Sequence, residues 1–123
     1  MLTMSSVMLV DDEPLIRELY AQMLAVGGYD VVATANDGEE AVDRFEHTLP
    51  PPDVILMDHR MPGKNGLTAT REITDAHPGT KVLMVTADFT IQPRVATEGA
   101  RGLLEKPFTM DQLFAAIEQV LAA

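Results

Sequence analysis

The stretch DVILMDHRMPGKNG, residues 53–66, decides the predicted fold. Residues 54–57 are apolar at every position, which is typical of a strand buried on both faces of a parallel sheet. The loop after them carries the turn formers Pro62 and Gly63. Asp58 therefore stands at the carboxyl end of a buried strand, where open α/β sheets bind their ligands. Because Asp also ends strands and caps helices, this interpretation depends on what the other strand ends carry.

Similar apolar runs recur along the chain and alternate with segments of helical spacing. The predicted strands are residues 7–10, 31–35, 54–57, 81–86 and 102–105. The predicted helices run from Pro14 to the Gly27-Gly28 pair and near residues 41–45, 67–76, 90–98 and 109–121, with Pro93 interrupting the fourth. Asn36, Asp37 and Gly38 are predicted to form a turn that can cap the second helix, and Thr109 and Gln112 have capping-box spacing at the start of the fifth. Right-handed crossovers then give an α/β fold: a doubly wound five-stranded parallel sheet of flavodoxin-like order 2-1-3-4-5 with five flanking helices.

Length and composition limit the possible functions. The 123 residues suit one compact domain over residues 1–123, with a core at about residues 6–122. The absence of cysteine excludes disulfides and thiolate metal sites. The net charge of −10 argues against direct nucleic-acid binding. With no signal peptide and no apolar run of about 20 residues, a cytoplasmic protein without membrane association is expected. His47, His59 and His77 are expected on the surface.

Polar side chains stand at the carboxyl ends of four predicted strands. In the order 2-1-3-4-5 the first and third strands are neighbours, so their carboxylates should converge at the switch point of the sheet. Clustered carboxylates repel each other unless a cation is present, and an all-oxygen set of ligands favours Mg²⁺. A hydroxyl and an ammonium group nearby would hold the oxygens of a transferring phosphoryl group, with an Asp as nucleophile. The residues are Asp11 and Asp12 after strand 1, Asp58 after strand 3, Thr86 at the end of strand 4 and Lys106 after strand 5.

Each of these residues also has a simpler interpretation. Asp11, Asp12 and Glu13 could cap the first helix. Thr86 could be an ordinary strand-end residue, and Lys106 could be a solvated loop charge. The signal lies in the combination, because all of them fall at the carboxyl ends of predicted strands.

Four stretches, in this order, resemble the receiver domains of two-component response regulators. They are VDDEP at residues 10–14, DVILMDHRMPGKNG at 53–66, VTA at 85–87 and EKPF at 105–108, and the resemblance covers residues 7–121. It implies that Asp58 accepts a phosphoryl group from a phosphohistidine on a histidine kinase or histidine phosphotransfer protein. The reaction would require Mg²⁺, and the signal would pass on by contact with a downstream protein. Such a domain is not an enzyme beyond its own phosphorylation and dephosphorylation.

The same resemblance implies the metal ligands. Asp12 would bind Mg²⁺ directly and Asp11 mostly through water. Asp58 and the main-chain carbonyl of Arg60 would supply further ligands.

It also implies how the phosphoryl group is held. Thr86 would hydrogen-bond one of its oxygens, and Lys106 would ion-pair with Asp58 before phosphorylation and with the phosphoryl group afterwards. The Lys106–Pro107 peptide would be cis. The small residue Ala87 would leave the site accessible.

The chain departs from the family pattern on the side that usually carries the output. Leu103 stands where receivers have a switching aromatic residue, and the spacing from Thr86 to Lys106 is shorter than usual. An atypical output switch is therefore expected. Arg60 and Asp88 are expected to pair across the site entrance and to tune the lifetime of the phosphoryl group.

Three other functions compete with a phosphorylated switch. A Mg²⁺-dependent phosphatase of the haloacid dehalogenase type needs a general acid at residue 60, where this chain has Arg60. A flavin-binding module would place the flavin phosphate at the loop DDEP, whose carboxylates would repel it. A degenerate receiver used only for docking would not need the complete set of site residues.

The first helix, where the histidine partner docks in this family, should expose Arg17, Glu18 and Gln22. The sequence leaves the oligomeric state open.

Overall fold

In the computed structural model, which describes residues 4–123, five parallel strands form one sheet of order β2-β1-β3-β4-β5, as predicted. The register brings Val10 beside Met57 and Thr86 beside Glu105, so the strands end at a common edge. The strands are β1 (Ser6–Val10), β2 (Asp30–Ala35), β3 (Val54–Asp58), β4 (Val82–Thr86) and β5 (Gly102–Glu105). The helices are α1 (Pro14–Val26), α2 (Gly38–His47), α3 (Gly66–Ala76), α4 (Gln92–Val95) and α5 (Met110–Ala122).

The three central strands are apolar at almost every position because helices cover both faces of the sheet. One face packs against α2, α3 and α4, and the other packs against α1 and α5. The first core includes Met8, Ile55, Met84, Phe45 and Ile73, and the second includes Leu9, Leu56, Leu24, Leu113 and Ile117. This double covering fixes β1, β3 and β4, and with them the edge at which Asp58 stands.

Local hydrogen bonds begin the helices where the sequence predicts. The Asp37 carboxylate accepts a hydrogen bond from Glu40 N, and Thr109 and Gln112 form a full capping box. Asn65 caps α3 in the same way. Gly66 follows it because a Cβ at this position would collide with the carbonyl oxygen of Asp58. The start of α3 can therefore lie directly against the end of β3.

The fourth helix is much shorter than predicted. The segment predicted as helix over residues 90–98 contains a 3₁₀ turn, Phe89–Ile91, and a four-residue α4, Gln92–Val95. Pro93 has no N–H to donate, so it fits only the first turn of a helix. Gly99, with φ of 103°, then ends the segment. Within residues 4–123, no helix is long and apolar enough to cross a membrane.

Candidate functional site

The five predicted site residues come together at the carboxyl edge of the sheet. Asp58 ends β3 and is only 6% exposed, while Asp11 follows β1 and is 2% exposed. Asp12 lies beside them, and one carboxylate oxygen from each of the three residues lies within 4.8 Å of the others. Thr86 ends β4 and is buried, and Lys106 follows β5. The arrangement is therefore a cluster of carboxylates flanked by a hydroxyl and an ammonium group.

The ammonium group of Lys106 lies directly against the carboxylate of Asp58. The distance from Lys106 Nζ to Asp58 Oδ1 is 2.9 Å, and Nζ is 3.8 Å from Asp11 Oδ2. The main-chain N–H of Lys106 donates to the Thr86 carbonyl over 2.9 Å, which fixes the start of the β5–α5 loop. The Lys106–Pro107 peptide is cis, as the family resemblance implies.

The carboxylate cluster fits a hard divalent cation. Asp11 Oδ1 accepts a hydrogen bond from Glu13 N, but the buried Oδ2 has no hydrogen-bond partner in the structure. A buried carboxylate oxygen without a donor is costly, and a cation would satisfy it. Because all the available donors are oxygens, Mg²⁺ suits the set better than a softer metal. Asp11, Asp12 and Asp58 are therefore the side chains that could hold it.

Burial and neighbouring charges alter the protonation of Asp58. Burial raises the pKa of Asp58 to about 6, with the charges of Asp11 and Asp12 adding to the effect. The hydrogen bond and charge of Lys106 act in the opposite direction. For Lys106, burial lowers the pKa, but the hydrogen bond and charge of Asp58 outweigh burial and leave the pKa raised. At neutral pH Lys106 is an ammonium and Asp58 is a carboxylate. The positive charge of Lys106 only partly compensates the negative charge around Asp58.

A second chain of contacts crosses the entrance to the site. The hydroxyl of Thr86 accepts a hydrogen bond from Asp88 N at 2.9 Å. Asp88 Oδ2 pairs with Arg60 Nη2 at 3.0 Å, and Asp88 Oδ1 accepts from Thr90 N and Thr90 Oγ1. The hydrogen bonds from Thr90 and the charge and hydrogen bond of Arg60 lower the pKa of Asp88 to about 2. Arg60 and Asp88 therefore bridge two loops beside Asp58, and their effect on phosphoryl lifetime stays a prediction.

Leu103 lies on β5, half-buried, and packs against the core formed with α2, α3 and α4. It is an aliphatic residue that fills space beside a shortened α4. The structure thus places a core contact where the family pattern has a switching aromatic side chain.

The expectation that all three histidines lie on the surface is wrong for His59, which is only 8% exposed. Backbone hydrogen bonds hold His59 just past the end of β3, because His59 N donates to the Val85 carbonyl of β4 and the His59 carbonyl accepts from Gly66 N at the start of α3. Burial lowers the pKa of the His59 imidazole. Its Nδ1 has no hydrogen-bond partner in the structure.

Two residues of α1 contact the site in a way that the sequence analysis missed. Arg17, expected to be exposed, is half-buried, and its Nη1 donates to the Asp11 carbonyl over 2.7 Å. Tyr20, three residues further on, packs against Phe108 of the β5–α5 loop. Their spacing of i and i+3 places them on one helix face, which was the available signal. Glu13 precedes α1 without making a side-chain cap.

Comparison with known proteins identifies the family. Residues 7–118 match the response regulator receiver domain model, and the chain therefore belongs to this family of two-component signalling proteins. The chain is 37% identical over 120 residues to the transcriptional regulatory protein LnrK of Bacillus subtilis, covering 95% of this chain and 54% of LnrK. It is 38% identical over 122 residues to the response regulator GacA of Pseudomonas viridiflava, covering 97% and 56% of the two chains. The chain thus spans about half the length of these curated relatives.

Solved structures agree with this assignment. A LuxR-family response regulator from Aurantimonas sp. SI85-9A1 superposes with a TM-score of 0.90 at 34% identity, covering 98% of this chain and 86% of that one. The response regulator TrrA of Thermotoga maritima, solved in complex with Mg²⁺-BeF, gives a TM-score of 0.86 at 32% identity, with coverage of 95% and 99%. The doubly wound fold is therefore that of a receiver domain.

Proposed function

We propose that Asp58 accepts a phosphoryl group from a phosphohistidine on a histidine kinase or histidine phosphotransfer protein, in a Mg²⁺-dependent reaction. The observation that carries this proposal is the placement of the Asp58 carboxylate 2.9 Å from Lys106 Nζ within a cluster of three carboxylates. The phosphorylated domain would then signal by contact with a downstream protein. The acidic surface, with a net charge of −10, favours a protein target over direct contact with nucleic acid.

In the transfer step, an oxygen of the Asp58 carboxylate attacks the phosphorus atom. The bond from phosphorus to the imidazole nitrogen of the donor breaks, and its electron pair stays with the imidazole. The product is an acyl phosphate on Asp58. Lys106 then neutralises charge on the phosphoryl oxygens. Thr86 is suited to donate a hydrogen bond, because its hydroxyl oxygen accepts from Asp88 N and leaves the hydroxyl proton free.

Asp11, Asp12, Asp58 and the main-chain carbonyl of Arg60 would hold Mg²⁺. The bound ion would neutralise charge that develops on the phosphoryl oxygens. Asp11 Oδ2 supports this assignment, because it is buried, makes no hydrogen bond and has only the Lys106 ammonium, 3.8 Å away, as a counter-charge. Arg17, which donates to the Asp11 carbonyl, holds the loop that carries two of these ligands.

The wild-type protein tests the proposal directly. Incubated with acetyl phosphate and Mg²⁺, it should gain the mass of one phosphoryl group, and the adduct should be cleaved by hydroxylamine as acyl phosphates are. Chelating the metal should prevent the gain. Intact-mass spectrometry measures both results, and phosphotransfer from a panel of phosphorylated kinases would identify the donor. A properly folded protein that gains no mass with any donor in the presence of Mg²⁺ would contradict the proposal.

The Arg60–Asp88 ion pair supports a further role in phosphoryl lifetime. It bridges the loops beside the acceptor, so it can hinder the water that hydrolyses the acyl phosphate. Because the Arg60 side chain is 78% exposed, its contribution should be small. Arg60→Ala should shorten the half-life of phosphorylated Asp58 by roughly two- to fivefold, as expected for an exposed ion pair. The decay of the phosphorylated mass over time measures this.

Arg71→Ala is the matched control for Arg60→Ala. Arg71 on α3 also forms exposed ion pairs, with Asp75 and with Glu98, and none of its partners belongs to the loops beside Asp58. The control should leave the half-life unchanged. Equal half-lives for Arg60→Ala and the wild type would show that the pair has no role in lifetime.

A general phosphatase is the less favoured alternative. The haloacid dehalogenase chemistry needs an acid two positions after the nucleophile, and Arg60 stands there with its side chain paired to Asp88. We infer that turnover is limited to uptake and loss of the protein's own phosphoryl group. Multiple turnover of a small phosphate ester would overturn this inference.

A further inference from the structure

Helix α1 contacts two of the loops around Asp58, the β1–α1 loop and the β5–α5 loop. Arg17 donates to the Asp11 carbonyl in the β1–α1 loop. Tyr20, on the same face of the helix, packs its ring against Phe108 in the β5–α5 loop, with a centroid distance of 5.2 Å and an interplanar angle of 40°. Tyr20 is 9% exposed and Phe108 is half-buried, so the contact joins a buried ring of the helix to a partly exposed ring of the loop.

Phe108 lies in the same short loop as Lys106, between the end of β5 and the start of α5. The backbone of Lys106 is held at one point, by its hydrogen bond to the Thr86 carbonyl. Thr109 holds the other end of the loop through the capping box of α5. Between these two points, the ring of Phe108 is the loop's large apolar anchor, and Tyr20 is its aromatic partner.

A cavity of about 420 Å³ opens between α1 and this loop. Tyr20 and Phe108 line it together with Ala87 and Lys106, which also border the acceptor site. The Lys106 stem therefore has open space on one side. The phenol of Tyr20 interacts electrostatically with the site. Burial raises the pKa of Tyr20, and the charge of Lys106 acts in the opposite direction.

We propose that Tyr20 is a positioning residue for phosphoryl uptake, whose ring packs on Phe108 and so holds the β5–α5 loop with the Lys106 ammonium at Asp58. The proposal rests on the proposed function of Asp58 as acceptor. A lysine side chain has many rotamers, so its charge stabilises the transferring group only as far as the backbone and its surroundings restrict it. Without the ring contact, the cavity would allow the loop to move and the ammonium to spend less time at Asp58.

The test removes the ring and measures phosphorylation. Acetyl phosphate transfers its phosphoryl group to Asp58 and leaves as acetate, so no partner protein is needed. At saturating Mg²⁺, Tyr20→Leu should lower the rate constant roughly three- to tenfold, the scale set by losing one aromatic pair. The dissociation constant for Mg²⁺, measured by titration calorimetry, should stay within about twofold, because within residues 4–123 no hydrogen bond joins Tyr20 to a carboxylate of the cluster. Tyr20→Phe, which keeps the ring, should retain the wild-type rate.

A second Tyr–Phe pair in the molecule provides the control. Tyr29 packs against Phe114 with a centroid distance of 5.7 Å and the same 40° interplanar angle. Tyr29 precedes β2, at the opposite end of the sheet from Asp58. Tyr29→Leu should lower the free energy of unfolding without changing the phosphorylation rate constant. A merely structural role for Tyr20 would make the two leucine variants behave alike.

A cycle with Lys106 makes the proposal specific. In a Lys106→Met background, adding Tyr20→Leu should cause no further loss of rate, because the group that Tyr20 positions is already absent. Should Tyr20→Leu fold poorly, Phe108→Leu removes the other ring and should give the same loss.

Three results would overturn the proposal. They are an unchanged rate for Tyr20→Leu, a loss for Tyr20→Phe as large as for Tyr20→Leu, and an equal loss in both Lys106 backgrounds. Each presupposes that the wild type is phosphorylated. Failure of the wild type would instead contradict the acceptor role of Asp58, so the two failures are distinguishable.

Discussion

Asp58→Asn should abolish phosphorylation by acetyl phosphate, lowering the rate by a factor on the order of 10³ or more, as expected when a nucleophile is removed. An amide oxygen is a far weaker nucleophile than a carboxylate and does not form the acyl phosphate. The substitution keeps the size of the side chain in a site that is 6% exposed, so the fold should persist. Lys106 also keeps a neighbouring carboxylate in Asp11.

Asp30→Asn is the matched control, since it makes the same chemical change in an exposed carboxylate at the start of β2. Intact-mass spectrometry after incubation with acetyl phosphate and Mg²⁺ should show the adduct on Asp30→Asn and on the wild type only. Peptide mapping of the wild type should locate it within residues 53–66. Equal labelling of Asp58→Asn would show that another residue is the acceptor.

The fold was predictable because its three central strands, β1, β3 and β4, are buried on both faces. Such strands are short and apolar throughout, and turn formers or charged residues mark their ends, as at Asp58 and at Asp11. Alternation of strands with helices then leaves few topologies that obey right-handed crossovers. The caps at Asp37 and Thr109 were also readable, since a cap is a local hydrogen bond between residues close in sequence.

The length of α4 and the burial of His59 could not be predicted from local sequence signals. Pro93 was visible in the sequence, but the combination of a 3₁₀ turn, a single α-helical turn and Gly99 depends on how the segment packs against β5. His59 lies against the sheet, where its backbone forms hydrogen bonds with Val85 of β4 and with Gly66 at the start of α3. Both features are set by contacts between segments distant in sequence.

The residues of the candidate site were predictable from the sequence, but the residues that hold them in position were not. Residues at separate strand ends meet because the strands are parallel and in register, which the topology alone implies. Tyr20 does not stand at a strand end, and a tyrosine at helical spacing is usually interpreted as a core residue. Its contact with Phe108 depends on the path of the β5–α5 loop, which the sequence does not specify.

The metal-free protein should lose stability as the pH rises from about 4 to about 6. The pKa of Asp58 is raised in the folded state from 3.8 to about 6, so between these values the folded protein binds more protons than the unfolded chain. The free energy of unfolding therefore falls as the pH increases through this window. The difference of about 2 pH units corresponds to roughly 3 kcal/mol lost by pH 7 through this one group.

Asp58→Asn removes that titration, and in the presence of chelator at pH 7 it should be more stable than the wild type by about 2 kcal/mol, after allowing for the lost contact with Lys106. Urea unfolding followed by circular dichroism at pH 4.5 and pH 7 measures the difference, which should be smaller at the lower pH.

Saturating Mg²⁺ should raise the unfolding free energy of the wild type by about 2.7 kcal/mol at a hundredfold excess over its dissociation constant, and that of the variant by less. The stability difference between Asp58→Asn and the wild type should then shrink or change sign, because the bound cation supplies the positive charge that the carboxylate cluster of the folded protein lacks. A variant less stable than the wild type in chelator at pH 7, with Asp30→Asn unchanged, would contradict the assignment of Asp58 as the destabilising carboxylate of the metal-free cluster.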